Sequence, residues 1–174
     1  MIVLRIGLAV TALIVAAVVQ GVVLTRLGLP GATPDLVLVI VVTIGLLKGP
    51  TAGGIAGFAA GLLLDLLPPT DTVMGLSSLV LMLAGAGAGA LSETAQRLTV
   101  WRVILALATT AGGSVIVWSL LSGLVNTPAV VWASVPLLLV TEVGYCLVMG
   151  SIIVPIAWWA ERITSPRADE WSLA

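Results

Sequence analysis

Residues 34–66 read PDLVLVIVVTIGLLKGPTAGGIAGFAAGLLLDL. Twelve uncharged residues lie between Asp35 and Lys48, and sixteen more between Lys48 and Asp65. The first run is Val, Leu and Ile nearly throughout, with no polar face, so a helix made from it would be apolar on every side. Its start carries helix-initiation chemistry at Thr33-Pro34-Asp35: Thr33 can cap, Pro34 suits the first turn, and Asp35 meets the positive end of the peptide dipoles. Lys48-Gly49-Pro50 then breaks the chain, and a second apolar segment runs on to Asp65. The stretch predicts two successive apolar helices turned back on one another.

The same punctuation extends outward in both directions. Longer uncharged runs, over 6–25, 72–92 and 103–141, flank the hairpin. Of 174 residues, 60% are hydrophobic and 9% are charged, and the mean hydropathy is +1.24. An average soluble domain devotes about a quarter of its residues to charge. Runs of this length are those of membrane-crossing helices. The expectation is an all-α, polytopic membrane protein, one embedded domain covering residues 1–174. Its six transmembrane helices fall near 6–24, 34–47, 51–67, 72–91, 103–125 and 135–160, and 161–174 form a short tail.

Orientation follows from the cations. With the N-terminus cytoplasmic, Arg5, Lys48, Arg97, Arg102, Arg162 and Arg167 fall inside and only Arg26 outside, while Asp35, Asp65 and Asp71 fall outside. Both termini are then cytoplasmic. The second span is short: 14 residues reach about 21 Å, against a hydrocarbon core of about 30 Å. Either Lys48 snorkels and the bilayer thins, or the hairpin is shielded by its neighbours.

Composition excludes several functions. The chain has no histidine, one cysteine (Cys146), one lysine (Lys48) and one tyrosine (Tyr145). A Ser-His hydrolase, a His-ligated metal or haem and a His proton relay are therefore excluded. A single cysteine makes no intrachain disulfide and no CxxC motif. A net charge of −1 offers no basic surface to nucleic acid. Apolar segments continue to residue 160, so a cleaved leader followed by a soluble remainder does not fit. No catalytic, cofactor or metal residues are expected.

Two features carry what function the sequence shows. Glycines recur four apart: Gly45 and Gly49, then Gly53, Gly57 and Gly61, then Gly85 and Gly89. Residues four apart share a helix face, so each set forms a groove for another backbone, either within the six helices or on a partner helix. Polar groups inside the spans are few. Glu142 is the one charge well inside a span, and an intramembrane acid marks either a functional cavity or a hydrogen-bonded structural site. Tyr145 and Asp35, together with Gln20, Ser77, Ser78, Thr109, Thr110 and Ser114, are candidates to line the same interior. Trp118, Trp132, Trp158 and Trp159 fall near span ends as interface anchors.

The segment Pro34-Asp35-Leu36-Val37-Leu38-Val39, then Lys48-Gly49-Pro50, then Gly53, Gly57-Phe58, Gly61-Leu62 and Asp65-Leu66 resembles the rod-shape-determining MreD family. Met74-Gly75-Leu76 and a small-residue fourth span continue the likeness. Size and six-span layout extend it over nearly the whole chain, although an aromatic beside a glycine is absent from Gly85–Ala90. The resemblance implies a non-enzymatic subunit of the bacterial cytoplasmic membrane that acts in side-wall elongation. It would bind a single-span MreC-type protein, and through it affect the glycosyltransferase RodA and a penicillin-binding protein, alongside MreB. It also implies a fold similar to the substrate-binding subunits of energy-coupling-factor vitamin transporters. Carried over, Gly53, Gly57, Phe58, Gly61 and Asp65 are signature positions. Two alternatives stand beside it: a small-molecule transport subunit using Glu142 and the outer aspartates, and an aspartic hydrolase centred on Asp65.

Overall fold

The computed structural model describes residues 2–22, 34–66, 75–93, 100–124 and 135–164. Within them the chain forms six α-helices and no strand: α1 (Ile2–Val22), α2 (Leu36–Lys48), α3 (Pro50–Leu66), α4 (Leu76–Glu93), α5 (Val100–Leu124) and α6 (Val135–Thr164). Arg26, Thr33, Pro68-Pro69, Asp71, Met74, Arg97, Trp132 and Arg167 lie outside the described residues.

Element boundaries depart from the expected ones where local chemistry intervenes. The N-cap of α2 is Asp35, whose carboxylate Oδ1 accepts the Leu38 N–H at 2.8 Å, a contact that a carboxylate at this position is well shaped to make. The corner between α2 and α3 is a single residue. Gly49 has φ of +89°, a left-handed conformation that side chains resist. Its N–H donates to Gly45 O at 2.8 Å, and its carbonyl accepts from Gly53 N at 3.0 Å. Gly49 therefore closes one helix and opens the next, with Pro50 in the first turn of α3, where its missing N–H costs nothing. At the far end α6 continues through Pro155 to Thr164, so the expected tail begins in helix. Likewise α5 begins at Val100, ahead of its expected start at Val103.

Helix α2 is the centre of the bundle and touches all five others. Val37, Leu38, Val39, Val41 and Val42 are at most 1% exposed, as a helix without a polar face requires. Around it the chain runs up and down. Gln20 near the end of α1 meets the start of α2, Ser92 near the end of α4 meets Leu46 near the end of α2, and Lys48 meets Glu161 near the end of α6. The α5–α6 contacts, Gly112 with Leu139 and Gly150 with Leu107, run antiparallel. Positions 5, 48, 102 and 162, all cationic, consequently fall at one end of the bundle, and Asp35, Asp65 and Glu142 lie toward the other.

The outward faces are apolar. Val10 and Val18 on α1, Ile55 and Phe58 on α3, Leu120 on α5, and Val140 and Ile156 on α6 are among large side chains about half or more exposed. Buried polar groups include Thr43, Asp65, Ser78, Thr110, Ser119 and Glu142. Thr43 and Thr110 donate to carbonyls one turn back, Val39 O at 2.7 Å and Ala106 O at 2.5 Å, so they enter the interior already paired. Among the described residues one helix, Pro136–Glu161, is long and apolar enough to cross a membrane, with mean hydropathy 2.1, and little of it is buried. Five shorter apolar helices accompany it among the described residues.

Candidate functional site

The glycine grooves close on one another. α3 and α4 pack antiparallel in a register that sets Pro50 against Gly89, Gly53 against Gly85, Gly57 against Leu81 and Gly61 against Ser78. Each contact is backbone to backbone. A Cβ added at Gly53 would strike Gly85 O and lie 2.7 Å from Gly45 Cα, and one added at Gly85 would strike Gly53 O. Gly45, from α2, meets Gly85 in the same place. Gly53, Gly57, Gly61, Gly85 and Gly89 are therefore occupied within the chain, which removes them as a free groove for a partner helix. Phe58 lies beside this face and is half exposed.

A different small-residue face stays open. Nothing lies within 4 Å of a Cβ built on Gly87 or Gly113. These two line a groove of about 330 Å³ between α4 and α5, with Ala84, Thr109, Thr110 and Ser114. Four-residue glycine spacing misses both residues. The signal lies in Gly85-Ala-Gly87-Ala-Gly89: two residues advance a helix by about 200°, so Gly87 faces away from its neighbours.

At the acidic end, two brackets hold helix starts. Asp65, at the end of α3 and 8% exposed, reaches across to the start of α4. Its Oδ2 accepts from Gly75 N at 2.8 Å and from Ser78 Oγ at 3.3 Å, while Oδ1 is buried with no partner. A carboxylate there faces the positive end of α4. Gly75, with φ of +96°, precedes the helix, and its carbonyl accepts from Leu79 N at 3.1 Å.

The second bracket joins three helices. While Asp35 caps Leu38, Gln20 Oε1 from α1 accepts the neighbouring Val37 N–H at 3.2 Å. Glu142 of α6, 6% exposed, stands within electrostatic reach of Asp35, and Cys146 Sγ donates to Glu142 Oε1 at 3.5 Å. The fold thus gathers Asp35 and Glu142 from distant parts of the chain. Tyr145, beside Cys146, is half-buried. Asp35 and Asp65 engage different partners, and Asp71, the third acid of the hydrolase reading, lies outside the described residues. Among the described residues no group of three or more His, Cys, Asp or Glu is placed to hold a metal ion.

At the basic end, Ser92 Oγ donates to Leu46 O at 2.7 Å, satisfying a terminal carbonyl of α2, and Lys48 Nζ lies 3.7 Å from Glu161 Oε1.

These features define a class: a six-helix bundle with apolar outer faces, a glycine-sealed hairpin and carboxylates that anchor helix ends. No family model matches the sequence, and no curated protein or solved structure is significantly similar to it.

Proposed function

We propose that the chain is a six-span protein of the bacterial cytoplasmic membrane with both termini inside. In this reading it is a non-enzymatic scaffold of side-wall elongation, of the MreD type, holding the transmembrane helix of a single-span MreC-type partner. The observation that carries the membrane part is the distribution of side chains. Large apolar residues face outward on every helix except the central α2, while Asp65, Glu142 and four hydroxyl residues are buried. Outer faces this apolar are unlike those of a water-soluble globule of this size. The gathering of cationic positions 5, 48, 102 and 162 at one end supports the orientation.

The partner face in this proposal is the α4–α5 groove rather than the Gly53–Gly61 row. In lipid, close approach at small residues drives helix association, and Gly87 and Gly113, from two helices that line one groove, both leave approach open. Photo-cross-linkers placed at Gly87 and Gly113 in native membranes test this. Capture of an MreC-type protein there, and not from an outward site such as Val140, supports it. A folded Gly87→Leu, Gly113→Leu double variant that co-purifies with that partner as well as the unmodified protein does refutes it.

The transport reading draws on one observation, the meeting of Asp35, Gln20 and Glu142. It requires a copurifying small molecule whose retention falls in Glu142→Gln, together with capture of energising ATPase subunits.

A further inference from the structure

Both α1 and α6 pack on α2, yet they barely touch each other. A cleft of about 360 Å³ opens between them with α2 as its floor. Ala9 and Ala12 form one wall, Ile153, Ala157 and Ala160 the other, and Ile44 lies on the floor. Small residues on both walls make this a slot. The hydroxyl of Thr43, on its floor, is already bonded to Val39 O, so the interior offers little to a polar ligand.

Its charge sits at one end. Lys48 and Glu161 line the mouth, each with a side chain about one-third exposed, 34% and 32%. At 3.7 Å and partly in solvent, this pair contributes little, and Lys48 is able to turn to another anion. Arg5 stands one turn before Ala9 on α1, and Arg162 follows Glu161 in the last turn of α6. Lys48 and Glu161 therefore mark the open end of an apolar slot, and positions 5 and 162, both cationic, fall at the same ends of α1 and α6.

We propose that this cleft binds an anionic phospholipid, with an acyl chain in the slot and the phosphate against Lys48. The proposal rests on the membrane reading above. From Lys48 to Ile40 the slot follows α2 for about 12 Å, close to the roughly 15 Å depth of one leaflet. Charge complementarity at the mouth selects an anionic headgroup over a zwitterionic one.

The test uses the full chain, extracted in mild detergent and reconstituted in nanodiscs of mixed phosphatidylglycerol and phosphatidylcholine, with retained lipid counted by native mass spectrometry. Phosphatidylglycerol is expected to be retained in preference. Lys48→Gln lowers that retention about fivefold, Lys48→Arg preserves it, and Ala157→Leu, which fills the slot, removes bound lipid of either kind. Lys48 is at an exposed rim, so its variants keep the test valid should Ala157→Leu fail to fold. Equal retention of both lipids, or undiminished phosphatidylglycerol in folded Lys48→Gln, overturns the proposal while leaving the membrane reading intact. Release of the chain from membranes by alkaline carbonate without detergent overturns the membrane reading, and the lipid site with it.

Discussion

Gly57 on α3 and Gly87 on α4 lie in glycine-rich helices packed on each other and differ in what surrounds them, which makes Gly57→Ala and Gly87→Ala a matched pair. A Cβ on Gly57 would overlap the Leu81 carbonyl oxygen and sit 2.5 Å from Leu81 C and 2.9 Å from Met82 N. These are backbone atoms of a helix, with no rotamer to relieve them. Ordinary carbon contact begins near about 3.5 Å, so α3 and α4 must part locally by roughly 1 Å. The Gly53–Gly85 and Gly61–Ser78 contacts, a turn away on either side, lose close packing as they do. Overpacking of this kind costs about 1–3 kcal/mol, and the better helix propensity of Ala returns up to ~1 kcal/mol. Gly57→Ala should therefore destabilise by about 1–2 kcal/mol. Gly87→Ala meets nothing within 4 Å and gains the propensity term alone, up to ~1 kcal/mol. The propensity gain is common to both, so the pair should differ by the overpacking alone, about 1–3 kcal/mol, which for a chain of this size is a gap of about 2–12 °C in unfolding midpoint. Circular dichroism during thermal unfolding in mild detergent measures it. Midpoints within about 1 °C of each other, or a more stable Gly57→Ala, would refute the closed seam.

The brackets make further predictions. Asp35→Ala removes the α2 cap and should cost about 0.5–2 kcal/mol, with Asp35→Asn close to the unmodified protein, both measured by the same melts. Asp65→Ala strands the Gly75 N–H beside Ser78 and should cost about 1–3 kcal/mol; a loss below about 0.3 kcal/mol would show that Asp65 does not hold α3 to α4. Gly75→Ala forces a side chain into positive φ and should cost about 1 kcal/mol, with proteolysis between α3 and α4 rising in step. Gln20→Leu leaves Val37 N–H without its acceptor, and amide exchange at Val37 should quicken relative to Val41.

Much of the hairpin is legible in the sequence. Lys48-Gly49-Pro50 joins a charge, a residue tolerant of left-handed φ and a residue suited to a first helical turn, and local chemistry of that strength dictates a corner. Glycine spacing likewise identifies a groove-forming face on α3 and on α4. What fills a groove is a question of register between helices, and register depends on side chains far apart in sequence; hence the Gly53–Gly61 row allows either an internal neighbour or a partner helix, and α4 is what occupies it. Gly87 escapes the same reading because a run alternating Gly and Ala puts glycine on opposite faces, and four-residue spacing finds only one. Thr33 and Asp35 both suit an N-cap by type, and two residues of phase separate them; the Leu38 N–H decides for Asp35. Their polarity alone makes Glu142 and Asp35 candidates for one interior; that they stand within electrostatic reach depends on α6 packing against α2. Helix α6 outlasts its expected end because the charge at Glu161 stops an apolar run without stopping a helix.

The shortness of α2 then has a physical account. Thirteen residues reach about 20 Å, some 10 Å less than a hydrocarbon core. A helix that short, exposed to lipid, would leave unpaired N–H and C=O groups in an apolar medium, each costing several kcal/mol. In the membrane reading, α2 avoids part of this cost because several of its terminal groups are met within the protein. Gln20 and Asp35 take the Val37 and Leu38 N–H groups, and Ser92 donates to the Leu46 carbonyl. All five other helices touch it, so its apolar surface needs neither lipid nor solvent. In the membrane reading a thinned bilayer is then unnecessary, since polar groups at both ends of this short helix are met inside the protein. The explanation commits to a result. Ser92→Ala and Gln20→Leu should add in their effect on stability, since the two sites share no partner and act on opposite ends of α2. A strong departure from additivity would mean that α2 shifts along its axis as a unit when either end is freed, and that membrane thickness, not capping, holds it in register.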